Sequence, residues 1–258
     1  MKNNKITKGI ILAGGSGTRL HPVTRVVSKQ LLPIYNQPMI YYPLSTLIKS
    51  GIKDILIITT PQDEVLFKRL LDTENDWGVK ISFKVQDKPE GIAQAFLIAE
   101  NWLDGSQSIL ILGDNLFFGP NLNKIINKSC LENIGATIFS YKVNNPNRFG
   151  VIEFDNKKRV LSIEEKPKNP KSSWAATGLY IFNNDVVNRT KKLKKSSRGE
   201  LEITDLNNTY LNEEKLNVVT LDENYYWLDT GTHESLLEAS NIAKKIQDKY
   251  GKESIGLF

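Results

Sequence analysis

The stretch Leu12-Ala13-Gly14-Gly15-Ser16-Gly17-Thr18-Arg19-Leu20 sets three glycines directly behind a short apolar run. Glycines there let backbone N–H groups come close to an anion, and Arg19 and Lys29 add two cations nearby. The spacing excludes two phosphate-binding loops. No Gly-Lys-Ser/Thr follows, as a P-loop requires, and Leu20 stands where the dinucleotide fingerprint needs its third glycine. No acidic residue follows Ile58-Thr59-Thr60-Pro61 to take a ribose. A glycine-rich turn by itself also serves as a plain structural device, and a lone loop lysine is often only solvated. Taken alone, Asp114 after Gly113 reads as a capping or turn aspartate. The two histidines, His21 and His233, and the single Cys130 form no Ser-His-Asp or Cys-His arrangement. Both histidines read as structural, and Cys130 reads as buried filler.

These residues need a scaffold, and the hydrophobic pattern supplies one. Apolar, β-branched runs at Ile10–Leu12, Ile55–Ile58, Ile81–Val85 and Ile109–Leu112 read as strands buried on both faces. Between the first two, Met39–Ile48 has a start signal in Asn36-Gln37-Pro38 and a stop at Gly51. A second helix opens at Pro61-Gln62-Asp63-Glu64 and a third follows Pro89-Glu90. Strand, helix, strand repeated this way predicts an α/β fold with a mixed, mainly parallel central sheet flanked by helices. From Thr137 the strands crowd together, at 137–141, 151–154, 160–164 and 179–182, which predicts a mixed or antiparallel extension. A helix over 185–193 ends in the basic run Lys191, Lys192, Lys194 and Lys195, read as a solvated face at a favourable dipole end. The last helix, 233–250, carries Leu236, Ala239, Ser240, Ala243, Ile246 and Tyr250 on one stripe and stops at Gly251. No internal repeat or linker interrupts the chain, so one domain is expected.

Composition narrows the function classes. The chain has 258 residues, 40% hydrophobic and 24% charged, which excludes a disordered tail or low-complexity scaffold. No apolar run approaches a membrane span of roughly 18 residues, and the N-terminal apolar stretch is too short for a signal peptide. The lone cysteine points to a reducing, cytoplasmic home. The net charge of +5 suits a few cations around small phosphorylated ligands as well as a weak general attraction to polyanions.

Several longer motifs accompany the glycine loop: Ser28-Lys29-Gln30-Leu31-Leu32-Pro33, Gln86 with Glu90-Gly91-Ile92-Ala93-Gln94-Ala95-Phe96, and Leu112-Gly113-Asp114-Asn115. Beyond these come Arg148-Phe149-Gly150-Val151, Ile163-Glu164-Glu165-Lys166-Pro167, Arg198-Gly199-Glu200-Leu201-Glu202-Ile203-Thr204-Asp205 and Trp227-Leu228-Asp229-Thr230-Gly231-Thr232-His233. In this order, from about residue 8 to 243, they resemble the sugar nucleotidyltransferases, and within them the branch that transfers a thymidylyl group. The resemblance implies a Rossmann-like nucleotidyltransferase fold, with a nucleotide-binding half at about 8–120, a sugar-phosphate-binding half at about 121–235 and a C-terminal helix and tail at 236–258.

The implied reaction joins dTTP and glucose 1-phosphate into dTDP-glucose and pyrophosphate, a first step toward dTDP-deoxysugars. A sugar phosphate with a second pKa near about 6 is already a dianion at neutral pH and needs no general base. Catalysis then rests on positioning and charge neutralisation, so the missing triad is informative. By resemblance, Leu12, Gly14, Gly15, Ser16, Gly17 and Thr18 wrap the nucleotide, Arg19 and Lys29 contact the triphosphate, and Gln30 lies beside them. Gln86 and the Gly91 backbone would hydrogen-bond the pyrimidine. Asn115, Gly150, Glu165, Lys166, Ala176 and Arg198 would hold the sugar phosphate. Asp114 and Asp229, each at a strand end, would bind one Mg²⁺, and Arg19, Lys29, Asp114 and Asp229 form the expected catalytic set. A homo-oligomer, dimer or tetramer, is implied, with no nucleic-acid polymer or membrane as partner.

Three departures stand out. His21 and Phe149 replace tyrosines of the relatives, and Trp174-Ala175-Ala176 replaces a Tyr-Ala-Val pattern beside the sugar pocket. The chain also stops soon after Tyr250, where long members continue into helices that serve subunit contacts and a regulatory nucleotide site. Three other readings remain open: the same chemistry with UTP or another hexose 1-phosphate, a glycosyltransferase that uses a finished nucleotide sugar, and a catalytically silent regulatory subunit, against which stand Arg19, Lys29, Asp114 and Asp229. Against the second, Asp114 is followed by Asn115-Leu116 and not by the Asp-x-Asp motif such enzymes usually carry.

Overall fold

The β-branched runs fold as strands because two buried faces favour stiff, branched side chains. Strands Lys8–Ala13, Asp54–Thr59 and Lys80–Val85 are parallel, with Ile10 opposite Leu56 and Leu56 opposite Ser82. The computed structural model describes residues 6–15, 17–71 and 76–256. Its fold class is the expected one, α/β on a mixed, mainly parallel sheet flanked by helices. The chain forms two compact units, each gathered from separated stretches. One comprises Thr7–Lys88, Ile111–Asn127 and Tyr225–Phe258, and the other Pro89–Leu110 and Lys128–Asn224 together with Ile6.

In the first unit, helices Tyr41–Lys49 and Glu64–Leu71 connect the three parallel strands. The first starts at Tyr41 and not at Met39: Pro43 has no N–H to donate to the Met39 carbonyl, so the first i→i−4 bond runs from Leu44 to the Ile40 carbonyl. Asn115–Phe118, a strand that the periodicity does not announce, pairs antiparallel with Tyr226–Asp229, the strand expected to end at Asp229. The last helix runs His233–Tyr250 as expected. Thr232 and Ser235 close a capping box at its start, and Gly251, at φ +87°, ends it. Leu236, Ala239, Ala243 and Ile246 pack against a core of Ile34, Met39, Tyr42, Leu116, Phe118 and Ile255. Tyr250 departs from the expected stripe. It is 65% exposed in the terminal turn, where its ring lies 4.9 Å from the Lys249 ammonium.

The second unit holds the expected antiparallel extension: Ala136–Lys142, Gly150–Phe154, Val160–Glu165 and Trp174–Phe182. Leu216–Leu221 joins it parallel to Ala136–Lys142. The helix expected over 185–193 is shorter, Val186–Thr190, and Ile203–Leu211 is a helix the apolar pattern does not announce. In its core Phe96 meets Phe182 edge to face and Tyr210 lies tilted against Phe182, with centroids 5.1 and 5.6 Å apart. Of the basic run, Lys191 and Lys195 are paired with Glu100 and Glu90. Cys130 is buried, and burial pushes its thiol up to about 12, too high for a thiolate nucleophile at neutral pH. Among the described residues, no helix is long and apolar enough to cross a membrane.

Candidate active site

The glycine loop leaves the carboxyl end of Lys8–Ala13, where open α/β sheets bind ligands. Ser16 lies outside the described residues. Gly15 and Gly17 have φ of +104° and +57°, and the Thr24 hydroxyl donates to the Gly17 carbonyl at 2.7 Å. Gly14 is glycine for a different reason: a Cβ there would run into Oε1 of Gln86. The structure thus brings Gln86, which follows the strand Lys80–Val85, against the loop, as the expected nucleotide set requires. Leu12 is buried beneath the turn and Thr18 is exposed. The Arg19 guanidinium lies beside Gly231, where a Cβ would sit 2.7 Å from Nη2. Arg19 therefore stands next to the segment that carries Asp229.

Lys29 starts a short 3₁₀ turn, and its ammonium donates to Oδ2 of Asp114. Gln30 points inward. It is 1% exposed, accepts from the Ser28 hydroxyl at 2.6 Å and packs beneath Gly113. Asp114 is held from several sides. Its carbonyl accepts from the Thr230 N–H at 3.2 Å and hydroxyl at 2.8 Å, and its Oδ1 accepts from the Asn115 amide at 3.1 Å. The Asn115 amide oxygen in turn accepts from the Trp227 indole at 2.6 Å. This makes Asn115 a positioning residue for Asp114, whatever it offers a sugar. Burial alone would raise the Asp114 carboxyl, but the Lys29 ammonium and the Asn115 amide outweigh it and hold it below the usual carboxylate range.

Asp229 is the register partner of Asn115, so the carboxylates of residues 114 and 229 sit on neighbouring strand ends. Among the described residues there is no cluster of three or more His, Cys, Asp or Glu able to hold a metal. Two carboxylates fit a hard divalent cation that takes its other ligands from phosphate and water. The Lys29 ammonium on Asp114 shows that this carboxylate already attracts a cation.

Of the residues expected to hold the sugar phosphate, Gly150, Glu165, Lys166, Ala176 and Arg198 converge in the second unit, and Asn115 lies in the first. Glu165 is the register partner of Gly150, and a Cβ on Gly150 would meet Thr204 Oγ1 at 2.9 Å, Glu165 Oε2 at 3.6 Å and Ala176 Cβ at 3.7 Å. Glu165 accepts from the Thr204 hydroxyl at 2.5 Å and lies 3.5 Å from Lys166 and 3.4 Å from Arg198. Lys166 holds φ at +43°, a costly backbone for a side-chain-bearing residue, with its N–H bonded to the Phe149 carbonyl at 3.0 Å. Gly91 belongs to this unit too. Its φ is +102° and a Cβ would collide with the Leu201 backbone, which bonds both Glu90 and Ala93. Gly91→Ala is expected to cost about 2–3 kcal/mol, or roughly 5–10 °C in Tm. A melt within 1–2 °C of the parent would refute that packing.

Sequence reasoning overlooked Thr204, Glu202, Thr230 and Trp227 as site builders. All four stand inside the quoted motifs, so a polar or indole group there was the available signal.

A family model described as nucleotidyl transferase matches residues 8–246. A glucose-1-phosphate thymidylyltransferase of Neisseria meningitidis is 54% identical over 241 residues, covering 93% of this chain and 84% of that protein. The Mycobacterium tuberculosis enzyme of the same name is 50% identical over 245 residues, covering 95% and 84%. Among solved structures, a Bacillus anthracis protein assigned as a glucose-1-phosphate thymidylyltransferase, in complex with sucrose, is similar at TM-score 0.87 and 41% identity, covering 97% of this chain and 99% of that one. A UDP-glucose pyrophosphorylase shares the fold at TM-score 0.82 and 23% identity, covering 93% and 99%.

Proposed function

The chain belongs to the nucleotidyl transferase family, and on that premise we propose that it transfers the thymidylyl group of dTTP to α-D-glucose 1-phosphate, releasing pyrophosphate and giving dTDP-glucose. The observation that carries this reading is the grouping of the glycine loop, Gln86, Lys29 and Asp114 around one strand-end site in the first unit.

In this reading the sugar phosphate is the nucleophile and attacks the α-phosphorus of dTTP. The bond to the departing pyrophosphate breaks, and the sugar C1–O bond stays intact, so the anomeric configuration is retained. No residue needs to remove a proton, because the phosphate is already ionised. Backbone N–H groups of the glycine loop and the Arg19 guanidinium would bind the triphosphate. Lys29 would leave Asp114 for the phosphates and offset charge as it moves onto pyrophosphate. Asp114 and Asp229 would hold Mg²⁺, whose charge offsets that of the triphosphate. Gln86 and the Gly91 backbone would read the pyrimidine, and Glu165 would accept from sugar hydroxyls. Lys166 and Arg198 would bind the sugar phosphate. The product is a dTDP-sugar suited to deoxysugar synthesis such as that of dTDP-rhamnose.

The test is pyrophosphate release across dTTP, UTP, ATP and GTP with several hexose 1-phosphates. dTTP with glucose 1-phosphate is expected to lead, with UTP weaker by about 10- to 200-fold, the value of one methyl in an apolar pocket. A preference for ATP or GTP would overturn the thymidylyl assignment. Sugar transfer from dTDP-glucose without pyrophosphate chemistry would favour a glycosyltransferase.

A further inference from the structure

Arg198 faces three carboxylates, and they are not equivalent. Glu202, with a side chain only 7% exposed, takes the guanidinium through two hydrogen bonds, from Nε at 3.1 Å and Nη2 at 2.7 Å. Its Oε1 also accepts from the Ser196 hydroxyl at 2.6 Å. Burial alone would raise the Glu202 carboxyl, yet Arg198 and Ser196 hold it below its usual range, so the anchor stays charged at neutral pH. Glu200 forms an ion pair with Nη2 at 3.1 Å, from a side chain 37% exposed. Glu165 is farther away, at 3.4 Å, and already accepts from Thr204.

Nη2 is thus the point where carboxylates crowd, while the Nε edge belongs to Glu202 alone among the contacts described. A phosphate arriving at Arg198 has to take over the outer edge of the guanidinium. There it meets the charge of Glu200, which repels it and competes for the same N–H groups. Glu202 sits behind and keeps the plane of the fork fixed, so that less orientation is lost on binding. We infer that Glu202 positions Arg198 for the sugar phosphate while Glu200 competes with that phosphate, so that two acidic residues set sugar-phosphate affinity in opposite directions. The inference rests on the reading of Arg198 as a phosphate ligand.

Steady-state KM and kcat for glucose 1-phosphate and dTTP, with thermal melts, in R198A, E202Q and E200Q test it. E202Q is expected to raise the glucose 1-phosphate KM about tenfold, as loss of one charge-assisted contact does, with the dTTP KM little changed. E200Q is expected to lower the glucose 1-phosphate KM about two- to threefold, the scale of an exposed ion pair. If E202Q does not fold, E202D keeps the charge, withdraws it by one methylene and carries the same expectation at smaller size. An unchanged glucose 1-phosphate KM in E202Q, or parallel losses for both substrates, overturns the positioning role. An unchanged or higher KM in E200Q overturns the competition. R198A with a normal sugar-phosphate KM removes the Arg198 reading itself, an outcome distinct from failure of its two neighbours.

Discussion

Asp114→Asn is expected to lower kcat by about 10³-fold with the chain still folded. The amide is nearly isosteric, so the Thr230 bonds to the residue 114 carbonyl survive, as does packing beside Asn115. What disappears is the negative charge, and with it both the resting place of the Lys29 ammonium and one of the two proposed metal carboxylates. Pyrophosphate release under saturating substrates, with circular dichroism as a control for folding, measures the effect. A rate within tenfold of the parent would remove Asp114 from the catalytic set.

Lys29→Ala is expected to cost a similar factor of about 10³ in kcat, through lost stabilisation of the charge that develops on the leaving phosphates. It also has a stability consequence with a definite sign. In the parent, the depressed Asp114 carboxyl contributes stability above the ordinary carboxylate range, lost as pH falls through its lowered pKa. Without Lys29, burial acts with much less opposition and the pKa rises. The contribution then reverses: it is present below the ordinary value and lost as pH climbs through the raised one. The stability gap between parent and variant, read from melts across pH, should therefore close only at pH below the lowered Asp114 pKa and widen as pH climbs through the raised one, to about 3 kcal/mol near neutrality. A gap that does not change with pH would refute the pairing. The double variant should lose less than the product of the two single losses, since one contact joins both residues.

The fold was legible where a run of residues served one purpose. Ile55–Ile58 is buried on both faces and reads as a strand; the last helix announces its stripe and its glycine stop. Asn115–Phe118 escaped because four residues are too few for a period, and its pairing with Tyr226–Asp229, whose end at Asp229 was expected, depends on a partner far along the chain. Tyr250 satisfied helical spacing but falls in the last turn, beyond the core, which no periodicity can register. In the site, the motifs that carry Lys29, Gln86, Glu165 and Arg198 pointed to phosphate and sugar chemistry through their resemblance to the family. What the types could not carry was who holds whom. Gly14 and Gly91 look alike as letters, yet one makes room for the Gln86 amide and the other for the Leu201 backbone. Asn115 looked like a sugar contact, and its amide lies between Asp114 and Trp227.

The hold of Thr230 on Asp114 also has a consequence for synthesis. Thr230 follows Asp114 by 116 residues, and Trp227 follows Asn115 by 112. At roughly 5–20 residues per second, a ribosome needs about 6–23 s to go from one to the other. Lys29 and Asp114 are both made long before that. The aspartate pair cannot assemble until Asp229 has left the exit tunnel. The proposed metal site is therefore incomplete in a nascent chain until residue 229 has been translated.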